Sequence, residues 1–282
     1  MQTKAIRQKI KSVGSIKKIT KTMEMISAAK MKKAIDQALT LRPFHEEAAH
    51  ILEDMSLDPL MRHELLMHNG VETELVILVT SNKGLCGGFN VNVYRKLLEA
   101  YTEDERKNLK MITFGKYAEK VAKKLHVETL ASFNHPVLTG DHARVVANMI
   151  VDWYKEKKIG TVRIIYTDYV SASSFEPVVL QLLPFAEQHS LDSRGEPRYS
   201  YEPDQESVLS TIVPMMVHNL IYGAILESYA SEHSARMFAM KSATDNANEL
   251  QKDLKLYYNR ARQSAVTQEI SEIVGGAAAL AQ

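Results

Sequence analysis

Between Ala224 and Val274 the chain reads AILESYASEHSARMFAMKSATDNANELQKDLKLYYNRARQSAVTQEISEIV, fifty-one residues without a glycine or a proline. At a rise of about 1.5 Å per residue a continuous helix of this length extends roughly 75 Å, more than one domain core can cover. Apolar and small residues recur within it at alternating steps of three and four, the spacing of a coiled-coil seam. The seam residues are Met240, Ala243, Ala247, Leu250, Leu254, Tyr257 and Ala261. The stretch therefore predicts a long helix packed against a partner helix.

The N-terminus carries the same spacing and supplies that partner. Its seam residues are Ile6, Ile10, Val13, Ile16, Thr20, Met23, Ser27, Met31, Ala34, Ala38, Leu41, Phe44, Ala48, Ile51 and Met55. One helix enters the middle of the chain and the other leaves it, so the two are predicted to be antiparallel. We assign residues 1–57 and 206–282 to this coiled coil, with kinks expected at Pro43 and Pro214. The second helix is longer and should project by about 30 Å beyond its partner.

Residues 58–205 alternate between strand and helix signals. The predicted strands are 74–80, 110–113, 162–167 and 177–183, and the predicted helices are 90–101, 117–125 and 141–157. Alternation of this kind favours a mainly parallel sheet with crossover helices. The predicted fold is an α/β, Rossmann-like insert, flanked by linkers, on a long antiparallel α-helical coiled coil.

A glycine-rich loop, SNKGLCGG from Ser81 to Gly88, follows the first strand, where nucleotide-binding folds hold phosphate. It lacks both GxxxxGK[ST] and GxGxxG, and Lys83 precedes the glycines instead of following them. We therefore expect a structural turn with a buried, bystander thiol at Cys86. The pair His63 and His68 in HELLMH lies about 140° apart on a helix, which rules out a shared zinc ion. The sequence predicts no catalytic residue, no cofactor and no metal site.

The charge is uneven along the chain, although the net charge is only +1. Residues 1–33 contain ten basic residues and one acidic residue, Glu24, and so carry a formal charge of +9. Three interpretations remain open: a solvated face, a nucleic-acid or lipid-binding surface, or a match to an acidic protein partner. The basic segment has no aromatic side chain for base stacking before Phe44, which disfavours nucleic acid.

The compartment is predicted from three features of the sequence. A single cysteine excludes an internal disulfide, and the first ten residues lack the apolar core of a secretory signal. No uninterrupted apolar run approaches the roughly eighteen residues of a membrane span. We expect a cytoplasmic protein whose membrane contact is only through partners.

Four stretches together resemble the gamma subunit of F-type ATP synthases, most closely the bacterial type. They are KITKTMEMISAAKMKKA (18–34), SNKGLCGGFN (81–90), ARMFAMKSATDNANEL (235–250) and YNRARQSAVTQEISEIVGGAAAL (258–280). The resemblance implies a central rotor that couples proton flow through a membrane ring of c subunits to ATP synthesis or hydrolysis in an alpha/beta ring. The implied partners are the alpha, beta and epsilon subunits and the c ring, not nucleic acid.

The resemblance further implies a non-catalytic chain, peripheral at the cytoplasmic face of the bacterial cell membrane. By position in the family's motifs, the residues that couple the shaft to the ring are Met23, Arg262, Gln263, Thr267 and Glu269. For Met23 a simple seam role is an equal alternative. The competing function is a freestanding nucleic-acid or nucleotide-binding coiled-coil protein, built on the basic helix and the glycine loop.

Overall fold

The computed structural model describes residues 2–55, 64–134, 140–185, 202 and 204–280. Its helices are α1 (Gln2–Met55), α2 (Phe89–Ala100), α3 (Lys116–Leu125), α4 (Gly140–Lys155) and α5 (Gln205–Leu280), with a 3-10 turn at Glu105–Asn108. Its strands are β1 (Glu74–Val79), β2 (Leu109–Phe114), β3 (Glu128–Phe133), β4 (Thr161–Ser171) and β5 (Ser174–Leu183). The chain forms two compact units. The helical unit comprises Met1–Ser27 and Arg236–Gln282, and the sheet unit comprises Ala28–Ala235.

The sheet unit contains one five-stranded sheet in the order β3-β2-β1-β4-β5. The pairs β1–β2, β1–β4 and β2–β3 are parallel, and β5 runs antiparallel to β4 as the second strand of a hairpin. Central strand β1 reads ELVILV and is buried on both faces, as expected for a parallel strand covered by helices. The mainly parallel α/β insert predicted from the sequence is confirmed.

Helices cover both faces of this sheet. Ile77 and Val79 belong to the core that contains the buried side chains of α4 and of α5 up to Ile225. The intervening Val76 and Leu78 belong to the core formed with α2 and α3. The alternation along β1 is the period-two geometry of a strand, which sends successive side chains to opposite faces.

The two terminal helices are antiparallel in the helical unit. The Thr20 and Thr244 hydroxyl oxygens lie 2.7 Å apart. Six residues earlier on α1, a Cβ placed on Gly14 would lie 3.0 Å from the side-chain nitrogen of Gln251, which is seven residues later on α5. Residues nearer the start of α1 thus contact residues nearer the end of α5. This pairing confirms the predicted antiparallel coiled coil.

The predicted seam of α5 is correct at five of its seven residues and wrong at two. Met240 and Ala247 are buried, but Leu250 and Tyr257 are 50% and 57% exposed. The next residues along the chain, Gln251 and Tyr258, are half-buried and face α1 in their place. The buried or half-buried positions that repeat along this stretch are Met240, Thr244, Ala247, Gln251, Leu254, Tyr258, Ala261 and Ala265, and Ala243 and Asn248 beside them are half-buried too. The repeating positions keep a period of about 3.5 residues. Two of them, Thr244 and Gln251, are polar, whereas a prediction from hydrophobicity alone places Leu250 and Tyr257 in the seam.

The seam of α1 follows its prediction more closely. Ile6, Thr20, Ser27 and Ala34 are buried, whereas Ile16 is 50% exposed and was wrongly placed in the seam. The predicted seam positions from 44 to 55 have side chains outside those that the structure describes. Both helices continue through the prolines where kinks were expected, at positions 43 and 214.

Strand β3 was not predicted. Its sequence ETLASF is mostly exposed or half-buried, because β3 lies at the edge of the sheet and pairs only with β2. A central parallel strand reveals itself as a continuous apolar run, and an edge strand of this composition does not. In the structure β3 follows α3 and precedes α4 along the chain, and it forms the edge of the sheet beside β2.

The glycine loop after β1 is a turn held by its own polar groups. Asn90 accepts a hydrogen bond from the Ser81 backbone N–H at 3.0 Å and donates to the Ser81 hydroxyl at 2.7 Å. Gly87 has a φ of 57°, a left-handed conformation in which glycine is favoured. Cys86 is 3% exposed and packs against Phe89. The predictions of a structural turn and a buried thiol are confirmed.

One described segment, within Glu206–Val274 of α5, is long and apolar enough by composition to cross a membrane. Polar residues interrupt its apolar residues, so the segment is not an uninterrupted apolar run. In the structure 44% of the segment is buried, and Val213, Val217 and Ile221 are fully enclosed in the core of the sheet unit. These contacts are those of the core helix of a folded domain.

The hydroxyl pair at Thr20 and Thr244 should act as a polar pin in the coiled coil. Replacing either threonine by valine removes one partner of a buried hydrogen bond, at a cost of about 1 kcal/mol. Replacing both should be nearly neutral in stability, because both polar groups leave the seam together. A double-mutant cycle by thermal unfolding, followed by circular dichroism, measures this coupling. Additive single effects would show that the hydroxyls do not interact.

A three-residue polar cluster joins the start of β1 to β4 and to the end of α2. The Tyr101 hydroxyl donates to Glu74 Oε1, and Arg163 donates to the same oxygen at 2.9 Å. Burial, followed by the hydrogen bond and charge of Glu74, raises the pKa of Tyr101 well above its ordinary value.

This cluster predicts a loss of stability at alkaline pH. The folded protein keeps the Tyr101 proton above pH 10, where the unfolded chain releases it, so the unfolding free energy falls as pH rises. The slope for one tyrosine is about 1.4 kcal/mol per pH unit. Chemical denaturation between pH 9 and 11 should show a shallower slope for Tyr101→Phe than for wild type. Identical slopes would exclude Tyr101 as a source of this dependence.

Candidate interface on the terminal helices

The five predicted coupling residues all lie in the helical unit. Met23 is half-buried on α1, beside the seam. Arg262, Gln263, Thr267 and Glu269 are all exposed on α5. None of the four α5 residues is needed to fill the coiled coil, so their side chains are available to another protein.

The four α5 residues lie where that helix runs past the start of α1. Extending the pairing of Thr20 with Thr244 by equal steps along both helices places Arg262 opposite Gln2. Residues 263–280 therefore project beyond α1 by about 27 Å. From Val266 to Val274 every described side chain is exposed, which agrees with this projection.

The projecting helix presents its polar residues on two different faces. Gln263 and Thr267 are one turn apart, and the Thr267 hydroxyl donates to the Gln263 carbonyl at 3.0 Å. Arg262 and Glu269 are two turns apart on another face, about 130° around the helix. Ser264 and Ser271 line a shallow surface depression with Gln263 and Thr267. The structure thus groups the predicted residues as two pairs.

Met23 is remote from these pairs. By the same helix pairing it lies opposite residue 241, about 30 Å along the axis from Arg262. The structure therefore places the predicted residues in two separate regions, one beside Met23 and one on the projecting end of α5. A partner that contacts both regions must be long or must contribute more than one segment.

The basic residues of α1 form a cationic surface around the Met23 region. Of the ten basic residues before position 34, nine are exposed, and Lys17 is half-buried. Lys21 forms an ion pair with Glu24 at 2.9 Å. The Lys21 side chain in this pair is 54% exposed and the Glu24 side chain 16%. One acidic residue cannot neutralise the ten basic residues of this segment, so a large positive charge remains. That charge favours binding to an acidic surface of another protein.

Comparison with known proteins identifies the family. Residues 2–280 match the family model described as ATP synthase. The chain is 40% identical to the ATP synthase gamma chain of Symbiobacterium thermophilum, over 98% of both chains. It is 39% identical to the ATP synthase gamma chain of Burkholderia lata, over 98% of this chain and 99% of that one. The chain belongs to the ATP synthase gamma family.

A solved structure shares the gamma-family fold. It is a chain of the Euglena gracilis mitochondrial ATP synthase in the OSCP/F1/c-ring assembly, rotational state 3. The TM-score is 0.71 at 20% identity, covering 99% of this chain and 94% of that chain. The terminal helices and the central, mainly parallel sheet predicted from the sequence are thus the architecture of a known fold.

Sequence reasoning missed an apolar stripe on the outer face of α1 in this gamma-family chain. Ile16, Ile19 and Ile26 are each at least half exposed and lie at helical spacing beside Met23. Because the seam is filled by other residues, this stripe is free of the coiled coil. The sequence does contain a signal for this stripe. Its apolar residues recur at helical spacing on a face next to the seam.

A second apolar stripe follows the projecting end of α5. Val266, Ile270, Ile273 and Val274 recur at steps of four, three and one and are all exposed. This stripe extends over about two turns of the projecting helix. Contiguous exposed apolar surface on a soluble protein marks an interaction site.

Proposed function

We propose that this chain is the central rotor subunit of an F-type ATP synthase, turning inside a ring of alternating alpha and beta subunits. The observation that carries the proposal is the pair of apolar stripes that the coiled coil does not use. Ile16, Ile19 and Ile26 on α1, and Val266 to Val274 on α5, are exposed in a gamma-family chain. Surfaces of this kind need a protein partner.

The role of the shaft is mechanical. Its helical unit presents different chemistry at different angles: a cationic and apolar face on α1, and two polar faces and one apolar face on α5. Each beta subunit would meet a different face at each rotary position. A face that binds one conformation of a beta subunit more tightly shifts that subunit toward it, so rotation changes which site is open.

The coupling residues belong to this proposal. Arg262 and Glu269 would contact the ring on one side of α5, and Gln263 and Thr267 on another. Met23 would act about 30 Å below them, with Ile19 and Ile26 as its apolar neighbours. The nine exposed basic residues before position 34 would meet acidic segments of the beta subunits.

The remaining partners and the location follow from the same role. The shaft would comprise residues 1–57 and 206–282, and residues 58–205 would form the globular part that joins the c ring and the epsilon subunit. The chain itself would be non-catalytic, with ATP chemistry left to the ring. It would lie at the cytoplasmic face of the bacterial cell membrane. There it would couple proton transport to ATP synthesis.

Reconstitution tests the proposal directly. The full chain, mixed with alpha and beta subunits of the same source, should form a stable complex with ATPase activity. The double variant Ile19→Asp and Ile26→Asp should assemble poorly or hydrolyse ATP at least tenfold more slowly, since it places charge on the apolar stripe. Val170→Asp, at an exposed position of the sheet unit, is the matched control and should behave as wild type.

The competing function has a distinct outcome. A freestanding nucleic-acid-binding protein would bind generic DNA with strong salt dependence and would not co-purify with alpha and beta subunits. Failure of the wild-type chain to form the complex, together with such DNA binding, would replace the rotor proposal.

A further inference from the structure

One face of the sheet unit is strongly positive. Helices α2 and α3, which cover this face, contain six basic residues and two acidic residues, so their formal charge is +4. Helix α4, which covers the opposite face, contains two basic and two acidic residues and is neutral. The positive charge of these helices therefore lies on one side of the sheet.

Three cations of α2 and α3 are available to a partner. Arg95, Lys120 and Lys124 are exposed, and among the residues that the structure describes no carboxylate forms an ion pair with them. The two acidic residues of these helices are paired with other basic residues, Glu99 with Lys96 and Glu119 with Lys123. An acidic group from outside this part of the chain can therefore pair with the three cations without breaking an ion pair.

An apolar row lies between these cations. Val91 and Leu98 are 47% and 37% exposed and lie two turns apart on α2. Tyr94 lies between them on the side facing α3, and the Lys124 ammonium is 5.0 Å from the centre of its ring. Arg95 lies on the opposite side of the row, about 100° around the helix from Tyr94. The row is therefore bordered by a cation on each side.

We propose that this surface binds an acidic, amphipathic helical segment of another protein. We call it the α2–α3 face, and its residues are Val91, Tyr94, Arg95, Leu98, Lys120 and Lys124. Apolar residues of the segment, at steps of three and four, would cover the apolar row. Carboxylates on either side of them would pair with Arg95 and with the two lysines of α3.

The arrangement of charges favours this partner over three others. A nucleic acid binds to exposed rings by stacking, but the ring of Tyr94 is half-buried beneath Lys124. An anionic membrane would repel Glu99 and Glu119, which lie on the same two helices. A second copy of this face would be repelled by like charge. A protein segment can place its carboxylates opposite the cations alone.

Fluorescence titration of the full chain with an acidic peptide tests this proposal. An environment-sensitive dye on Glu99→Cys, with Cys86 replaced by serine, reports from the exposed edge of the α2–α3 face and not from the basic residues of α1. The probe is a short synthetic peptide that repeats leucine-glutamate-glutamate-leucine. We expect saturable binding that weakens about tenfold in high salt, because salt screens exposed charges. The titration uses no other subunit, so its outcome is independent of the rotor proposal.

Charge reversal identifies the cations that bind the peptide. The double variant Lys120→Glu and Lys124→Glu should weaken peptide binding by about tenfold or more. The matched control is Lys157→Glu with Lys158→Glu, which makes the same charge change at two exposed lysines that follow α4. This control should bind the peptide as wild type does.

A second variant tests the apolar row. Val91→Ser with Leu98→Ser removes the exposed apolar contacts and should weaken peptide binding about tenfold without changing its salt dependence. Circular dichroism confirms that each variant is folded before titration. Absence of saturable binding at millimolar peptide, or equal affinities for the Lys120 and Lys124 variant and its control, would overturn the proposal. A dye response to anionic lipid vesicles but not to the peptide would replace it with a membrane surface.

Discussion

A complex assembled with Arg262→Ala and Gln263→Ala in this chain is expected to hydrolyse ATP about tenfold more slowly than the wild-type complex, equivalent to about 1.4 kcal/mol. Both side chains are exposed on the part of α5 that projects beyond α1. They face different directions, so they would contact the ring at different rotary angles. Loss of these contacts removes interactions that favour some rotary states over others. Steady-state ATPase activity of the purified complex provides the measurement.

Assembly should be nearly unaffected, because neither side chain packs in the coiled coil. The matched control is Arg95→Ala with Asn92→Ala, a hydrogen-bonded pair on α2 of the sheet unit. That control should keep wild-type turnover. Wild-type activity in the α5 double variant, or loss of activity only in proportion to loss of assembly, would exclude a coupling role for these two residues.

The largest effect on stability is expected at Gly160, where the chain enters β4. A Cβ placed there would lie 1.7 Å from the Val71 carbonyl oxygen, a contact that only backbone movement can relieve. The Gly160 N–H donates to the Thr73 carbonyl at 2.8 Å, so that movement also strains a backbone hydrogen bond. Gly160→Ala should destabilise the sheet unit by about 3 kcal/mol.

Thermal unfolding measures this effect as a lower midpoint, by roughly 6 to 12 °C for a unit of this size. Gly84→Ala is the matched control, because a Cβ at that glycine would meet no atom within 4 Å. Its midpoint should change little. Equal midpoints for Gly160→Ala and Gly84→Ala would show that the segment carrying Val71 moves away without cost.

The long helices and the central strands could be predicted because their signals are local. A stretch of fifty-one residues without glycine or proline can hardly avoid a helix, and ELVILV in β1 can hardly avoid a buried strand. Strand β3 escaped prediction because an edge strand with one covered face needs few apolar residues. Its place depends on pairing with β2, which is a tertiary interaction.

The face of each long helix was harder to predict than its existence. Leu250 and Tyr257 fit a hydrophobic seam, yet Gln251 and Tyr258 occupy it. The pairing of Thr20 with Thr244 and the close approach at Gly14 show why. Small and polar residues bring the helices close together, so the rotational position depends on shape as well as on hydrophobicity.

The sequence predicted which residues belong to the candidate interface but not how they are arranged on the helices. Arg262, Gln263, Thr267 and Glu269 were identified from their place in a familiar motif, and their exposure agrees with an interface. The four α5 residues form two pairs on separate faces, and Met23 is distant from both pairs. This arrangement could be derived only from the pairing of α1 with α5.

Single-molecule rotation tests the central claim most directly. A bead attached through a cysteine introduced at the exposed Lys107, with Cys86 replaced by serine, reports the motion of this chain while the alpha/beta ring is fixed to a surface. The rotor account predicts sustained rotation in one direction when ATP is added. A complex that hydrolyses ATP while the bead only fluctuates about a fixed angle would contradict it.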